Sequence, residues 1–201
     1  MKEYKLNSNN NFIDGYYLSD LSICDDLIEL FYNSSNKVSG QVGSGTVNKK
    51  IKDSLDLQLH INHITEYPIL KKYFKELGQI IDLYKKKYKY CDESVGKWAI
   101  QQDFNIQKYE PSQAYHGWHC EKSDINTAKR HLVWMTYLND VKQAGETEFY
   151  YQKMKVKPEK GLTLIWSADW TFTHKGNTTI DEDKYIITGW YEFKNEQNKN
   201  N

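Results

Sequence analysis

Apolar positions recur along this chain in two rhythms, and the rhythm changes near residue 99. Before it, the spacing is mostly helical. Leu27, Ile28, Leu30 and Phe31 form a stripe behind Ser22 and Asp25, whose spacing is that of a capping box. Residues 35–48 hold Gly40, Gly43 and Gly45 among serines and read as a loop or an irregular hairpin. Residues 54–61 alternate, with Leu55, Leu57, Leu59 and Ile61 on one side, which predicts a strand. Pro68 then opens the clearest helix of the chain. Ile69, Tyr73, Phe74, Leu77, Ile80, Ile81, Tyr84 and Tyr88 follow at helical spacing, a stripe that needs a sheet or a similar surface to cover it.

After residue 99 the period shortens. Segments 99–109, 115–121, 130–138, 147–151, 162–166, 172–174 and 184–193 all read as extended. Turn residues separate them: Pro111 with Ser112, Gly145, Pro158 with Gly161, and Gly176 with Asn177. That many short strands predict an antiparallel sandwich or barrel, a jelly roll buttressed by the N-terminal helices. No repeat or linker is visible, so 1–201 is expected to be one domain. Within it, 12–98 is the helical support region, 99–193 the jelly-roll core, and 1–11 and 194–201 flexible ends rich in Asn.

Composition narrows the function classes. Lys and Arg total 27, as do Asp and Glu, so the net charge is zero. Proteins that grip a nucleic-acid backbone carry a basic excess, so the balance argues against nucleic acid as a partner. Lys49, Lys50, Lys52 and the run at 85–89 remain candidates for a local patch, although such a run usually marks a solvated helix end. The cysteines, Cys24, Cys91 and Cys120, are scattered and form no C-x-x-C, which fits a reducing, cytoplasmic setting. Residues 1–11 lack the apolar stretch of a signal peptide, and no apolar run is long enough to predict a membrane span.

The strongest chemical signal lies in residues 115–121, Tyr-His-Gly-Trp-His-Cys-Glu. On a strand, His119 and Glu121 share a face while Cys120 points away. An imidazole and a carboxylate so placed can take adjacent sites on one metal ion. His174, in the segment Thr-His-Lys-Gly before the last strand, is the natural third ligand. Two His and one carboxylate leave open positions on an octahedral iron, the arrangement of oxygenases that bind a co-substrate and O2 together. Read alone, the H-x-E tripeptide fits equally well a surface acid beside a structural histidine. Lys184, ten positions past His174, changes the balance. By alternation it shares a face with Ile186, Thr188 and Trp190, and a Lys aimed into a barrel core requires an anion. The far carboxylate of a dicarboxylic co-substrate would supply one, with hydroxyl donors from Thr147 and Tyr109.

This combination resembles the Fe(II)/2-oxoglutarate dioxygenases, and within them the prolyl 4-hydroxylase-like branch. That branch has an H-x-D, a distal His and a Lys or Arg beyond it. It also has a Gly-Gly-x-Thr-x-Phe-like strand, a Pro-x-x-Gly turn and a late aromatic strand. Here these read as His119 to Glu121, His174, Lys184, residues 144–149, 158–161 and 185–193. The likeness spans 99–193. Glu121 stands where the branch has Asp, and Ala144 replaces the first glycine of the pair.

The resemblance implies a double-stranded β-helix of the jelly-roll, cupin-like kind. It implies Fe(II) held by His119, Glu121 and His174, with 2-oxoglutarate anchored at Lys184 and supported by Tyr109 and Thr147. Tyr137 is an alternative support, Thr188 lines the same face, and Trp190 would pack beside the co-substrate. O2 is the second co-substrate, and ascorbate is a candidate reductant. The implied reaction hydroxylates a C–H bond and releases succinate and CO2. A protein or peptide is the first expected substrate, with proline as the target, and a small molecule the second. The competing readings are a nucleic-acid demethylase of the same superfamily and a non-catalytic jelly-roll binding module. Of the other histidines, His60, His63, His116 and His131 fit structural or solvent-facing roles, and no H-E-x-x-H, G-x-S-x-G or P-loop is present.

Overall fold

The computed structural model describes residues 1–6, 12–43 and 45–195. The expected flexible ends therefore lie partly outside the described residues, at 7–11 and 196–201. Within 1–11, Glu3–Tyr4 forms a strand, β1, against β2 (Asp14–Tyr17). The remaining strands are β3 (Lys37–Ser39), β4 (Leu55–Leu59), β5 (Trp98–Ala99), β6 (Phe104–Tyr109), β7 (Arg130–Tyr137), β8 (Thr147–Phe149), β9 (Met154–Val156), β10 (Leu162–Ser167), β11 (His174–Gly176) and β12 (Lys184–Phe193). Helices α1 (Ser22–Asn33), α2 (His63–Glu66), α3 (Pro68–Lys87) and α4 (Tyr90–Glu93) complete the chain.

The strands form two antiparallel sheets. The larger runs β1-β2-β10-β7-β12-β6-β4-β3, with β5 also on β12, and the smaller runs β11-β8-β9. The fold is mainly β with a helical layer, and among the described residues no strand pairing joins the two sheets into a closed barrel.

Alternation along the central strands decides what each face meets. On β7, Leu132 and Trp134 face the helices, whereas Val133, Met135 and Tyr137 face the smaller sheet. Helix α3 starts at Pro68, where a missing N–H costs nothing, and closes on Lys85, Lys86 and Lys87, which suit the negative end of its dipole. Its buried stripe, Leu70, Tyr73, Leu77, Ile80, Ile81 and Tyr84, packs on the helix-facing side of the larger sheet. Each such aliphatic side chain contributes roughly 1.5–3 kcal/mol by burial. The lysine run is a solvated helix end, with Lys87 paired to Asp14 and Lys85 to Asp92.

Several expected elements differ. Residues 115–121 are not a strand: the chain there makes only isolated bridges, Tyr115 with Lys52 and His119 with His174. Segment 99–109 is split into β5 and β6, and 172–174 begins as a 3-10 turn, Trp170–Phe172, before β11. Ser22 does not cap α1: it is the first helical residue, and its N–H (3.0 Å) and hydroxyl (2.6 Å) both donate to the Asp20 carboxylate. The strand expected over 54–61 is present as β4, and β2 and β3 also join the larger sheet from the support region 12–98.

One glycine of β12 fixes the contact between sheet and helices. Gly189 pairs with Trp134, and a Cβ added there would lie 2.4 Å from the indole Cζ2 and 3.0 Å from the Phe104 Cβ. Trp134 is fully buried and also touches the rings of Tyr73 and Phe74, so it has nowhere to go. Gly189→Ala is expected to lower stability by about 1–3 kcal/mol through overpacking. A urea denaturation midpoint equal to wild type would contradict this packing account.

Candidate metal and co-substrate site

His119 and His174 are joined by two reciprocal backbone hydrogen bonds, His119 N–H to His174 O at 3.0 Å and His174 N–H to His119 O at 2.8 Å. Directly paired residues of an antiparallel bridge project to the same side, which brings the imidazoles to 4.3 Å between centroids. Glu121, two residues on, turns its carboxylate to both rings: Oε1 lies 3.5 Å from His119 Nε2 and 3.4 Å from His174 Nε2. The three ligand atoms lie within 4.8 Å of one another.

The outer nitrogens settle the ring orientation. Nδ1 of His119 lies 2.9 Å from Gly117 O, and Nδ1 of His174 lies 2.9 Å from Phe172 O. A carbonyl oxygen only accepts, so each Nδ1 carries the proton and each neutral ring turns a lone pair toward Glu121. Three acceptors facing one another need a cation between them. When the facing imidazoles are protonated instead, their hydrogen bonds and charges hold the Glu121 carboxyl well below the usual range, against its burial. Burial first, then the charge of His174, lowers the proton affinity of His119. Protons and a divalent cation thus compete for the same three atoms, and the cation satisfies all of them.

The three side chains border a cavity of about 190 Å³ between the two sheets. Lys184 lies in the same cavity, 3% exposed, and its ammonium donates only to the carbonyls of Gly145 (3.0 Å) and Asn177 (3.2 Å). Burial lowers its pKa to about 8, against the opposing charge of Glu146. Among the described residues its hydrogen-bond partners are neutral, and a buried ammonium so placed favours an anion beside it.

Residues 104–192 match the family model of the 2OG-Fe(II) oxygenase superfamily. They form a 2OG-Fe(II) oxygenase domain. The match supports a 2-oxoglutarate-dependent dioxygenase, and that family uses Fe(II), 2-oxoglutarate and O2. No curated protein matches the chain by sequence. Its fold is similar to that of a viral collagen prolyl hydroxylase from Paramecium Bursaria Chlorella virus-1, solved with 2OG, at 19% identity and TM-score 0.67, covering 92% of this chain and 98% of that one. A Pseudomonas putida prolyl-4-hydroxylase gives 11% and 0.66, with 90% and 92% covered. A Trichoplax adhaerens prolyl hydroxylase, solved with a hypoxia inducible factor peptide fragment, gives 17% and 0.70, with 92% and 84% covered.

The donor set fits the family's cofactors. Two imidazoles and a carboxylate suit Fe(II).

The remaining expected residues all line this cavity, in unequal roles. Thr147 accepts the Tyr137 hydroxyl at 2.6 Å, which leaves the Thr147 proton free to donate. Tyr109 donates to Gln107 Oε1 at 2.7 Å, and Thr188 to Trp134 O at 3.0 Å, so neither hydroxyl proton is free for a co-substrate carboxylate. Tyr109 offers its ring instead, 5.1 Å from the Lys184 ammonium. Trp190, expected to pack beside the co-substrate, donates its indole N–H to Glu121 Oε2 at 3.0 Å.

Sequence reasoning missed three contributors. Arg130 lies over the Trp190 ring (3.6 Å) and donates to Glu121 O (3.0 Å) and Oε2 (3.4 Å). Tyr115 stacks on His119 at 3.6 Å and 10°. Lys52, read as a surface lysine, is buried and paired with Asp56 at 2.5 Å, and Asp56 also accepts the Ser54 hydroxyl. No local motif marks these contacts, although Arg130 at the head of an apolar strand was a visible anomaly.

Two outcomes are expected. An anion pairs only with protonated Lys184, so 2-oxoglutarate affinity should hold below pH 8 and fall above it. Binding must there restore a proton, and the loss approaches roughly tenfold per pH unit. Titration calorimetry across pH tests this, and Lys184→Met should be weak at every pH. Trp190→Phe keeps the ring but removes the donor to Glu121, and should weaken divalent-metal affinity by about 10–100-fold. Metal titration with an unchanged dissociation constant would refute it.

Proposed function

We propose that this oxygenase hydroxylates a proline within a peptide or protein. Fe(II) would be held by His119, Glu121 and His174, and the far carboxylate of 2-oxoglutarate by Lys184 with the free Thr147 proton. The observation that carries this reading is the buried Lys184 ammonium, which shares one cavity with the three metal-competent side chains and has only carbonyl partners. When bound, the iron supplies O2 activation coupled to decarboxylation of 2-oxoglutarate. The chain's own residues orient that pair: the bridge sets the two histidines, Arg130 and Trp190 steady Glu121, and the apolar floor of Met135, Trp166 and Ile186 limits water.

Likeness of fold to three prolyl hydroxylases, one of them solved with a peptide fragment, supports proline as the target. On this reading the facing sheets are the walls of a double-stranded β-helix, and 1–201 is one catalytic domain with 12–98 buttressing 99–193.

The test is 2-oxoglutarate turnover with Fe(II) and a proline-containing peptide. Wild type is expected to form succinate together with a peptide heavier by one oxygen atom. His174→Ala, checked for native circular dichroism, should form neither above background. Equal succinate from both proteins would overturn the site, and succinate without a modified peptide would overturn the substrate.

A further inference from the structure

Four aromatic side chains run outward from the rim of the catalytic cavity along the surface. Trp118, next to His119, borders an outer basin of about 470 Å³ that also touches Tyr115 and Glu121. Its ring meets Tyr150 at 5.1 Å and 82° between planes, Tyr150 meets Tyr151 at 5.1 Å and 81°, and Tyr151 meets Trp170 at 5.7 Å and 83°. Exposures are 41%, 55%, 55% and 63% in that order. Three separate segments build the row: the loop before His119, the β8–β9 turn, and the 3-10 turn before β11. Isolated exposed aromatics are ordinary, but a continuous row beside a cavity marks a binding surface.

We propose that this row docks a proline-rich stretch of the peptide substrate in polyproline II conformation and leads the target proline into the cavity. The inference rests on the prolyl reading above and adds to it a surface and a substrate conformation. Polyproline II has no internal hydrogen bonds, and proline has no N–H, so such a strand offers carbonyl acceptors and apolar ring faces. The row offers the complement. Among the described residues, the indole N–H groups of Trp118 and Trp170 and the hydroxyls of Tyr150 and Tyr151 have no hydrogen-bond partner. Neighbouring rings stand nearly perpendicular, which leaves slots rather than a flat platform. Proline-rich strands in this conformation characteristically dock between aromatic side chains of this kind. The charge nearby is mixed: Lys175 lies over Trp118 at 4.6 Å, and both Lys175 and Lys155 pair with Glu148. Single-stranded nucleic acid would call for a cationic groove instead.

The test compares a long proline-rich peptide with a short one that carries a single proline, on wild type, Tyr151→Ala and Trp170→Ala. Both substituted side chains are exposed and lie outside the metal and co-substrate site. Each variant should weaken binding of the long peptide by about tenfold or more, read by calorimetry without turnover. Binding of the short peptide and metal-dependent thermal stabilisation should not change. Unchanged affinity for the long peptide, equal losses for both peptides, or tighter binding of an oligosaccharide or single-stranded DNA at the row would overturn the proposal. If the variants lose the long peptide yet wild type hydroxylates no proline, the docking surface stands and the prolyl reading falls. If wild type hydroxylates the short peptide and the variants bind the long one normally, the reverse holds.

Discussion

Two backbone hydrogen bonds, exchanged between His119 and His174, hold together parts of the chain that are far apart in sequence. Neither partner belongs to a long shared ladder. β11 is three residues on the edge of the smaller sheet, and the segment around His119 is a loop. The bridge therefore sets the separation of the imidazoles by main-chain geometry, independent of side-chain choice. Each ring is then locked by a carbonyl two residues before it, Gly117 O and Phe172 O. A metal site built this way needs little side-chain ordering when the ion arrives, because the backbone has already fixed the rings.

The same economy appears in the buried charges. The cavity is lined by Lys184, Gln107 and the Lys52–Asp56 pair in addition to the metal-competent side chains. Lys52 and Asp56 satisfy each other, and Asp56 takes a further donor from Ser54, so this pair fixes the 40–52 segment beside the cavity at no net charge. Lys184 has no such partner. Its desolvation is tolerated because three elements enclose it, with carbonyls from the 144–149 turn and from the segment after β11. A charge left without its counter-ion in an otherwise satisfied interior is a local conflict, and such conflicts gather where ligands bind.

Much of this was legible in the sequence, for reasons that particular residues show. Helix α3 was readable because its stripe is long and Pro68 marks its start, and β12 because it is a ten-residue run rich in β-branched and aromatic residues. The ligand set was readable from spacing, although its expected mechanism was wrong. His119 and Glu121 do not converge through strand alternation, because 115–121 is not a strand; they converge through the bridge to His174. Strands β1, β2 and β9 were missed because each is short and gains its stability from partners remote in sequence. Polar pairing was the least readable feature. Lys52 and Asp56 look like any solvated i,i+4 pair until the sheet folds over them, and nothing in the sequence says that the Tyr109 proton goes to Gln107.

A Glu at position 121, where the resemblance would place Asp, is compatible with the same geometry. Glu121 lies two residues past the bridged His119, in a stretch that no longer pairs with β11, so its backbone is not held at the ladder's spacing. A side chain longer by one methylene can make up for a backbone that stands off from the imidazoles, but the added torsion also frees the carboxylate to swing. Two contacts oppose that freedom. Trp190 binds Oε2 through its indole N–H, and Arg130, itself laid flat on the Trp190 ring, binds both Oε2 and the Glu121 carbonyl. One carboxylate oxygen is thereby held by the sheet, and the other is left to the two histidines. Glu is thus accommodated by a clamp that the neighbouring strands β7 and β12 already provide.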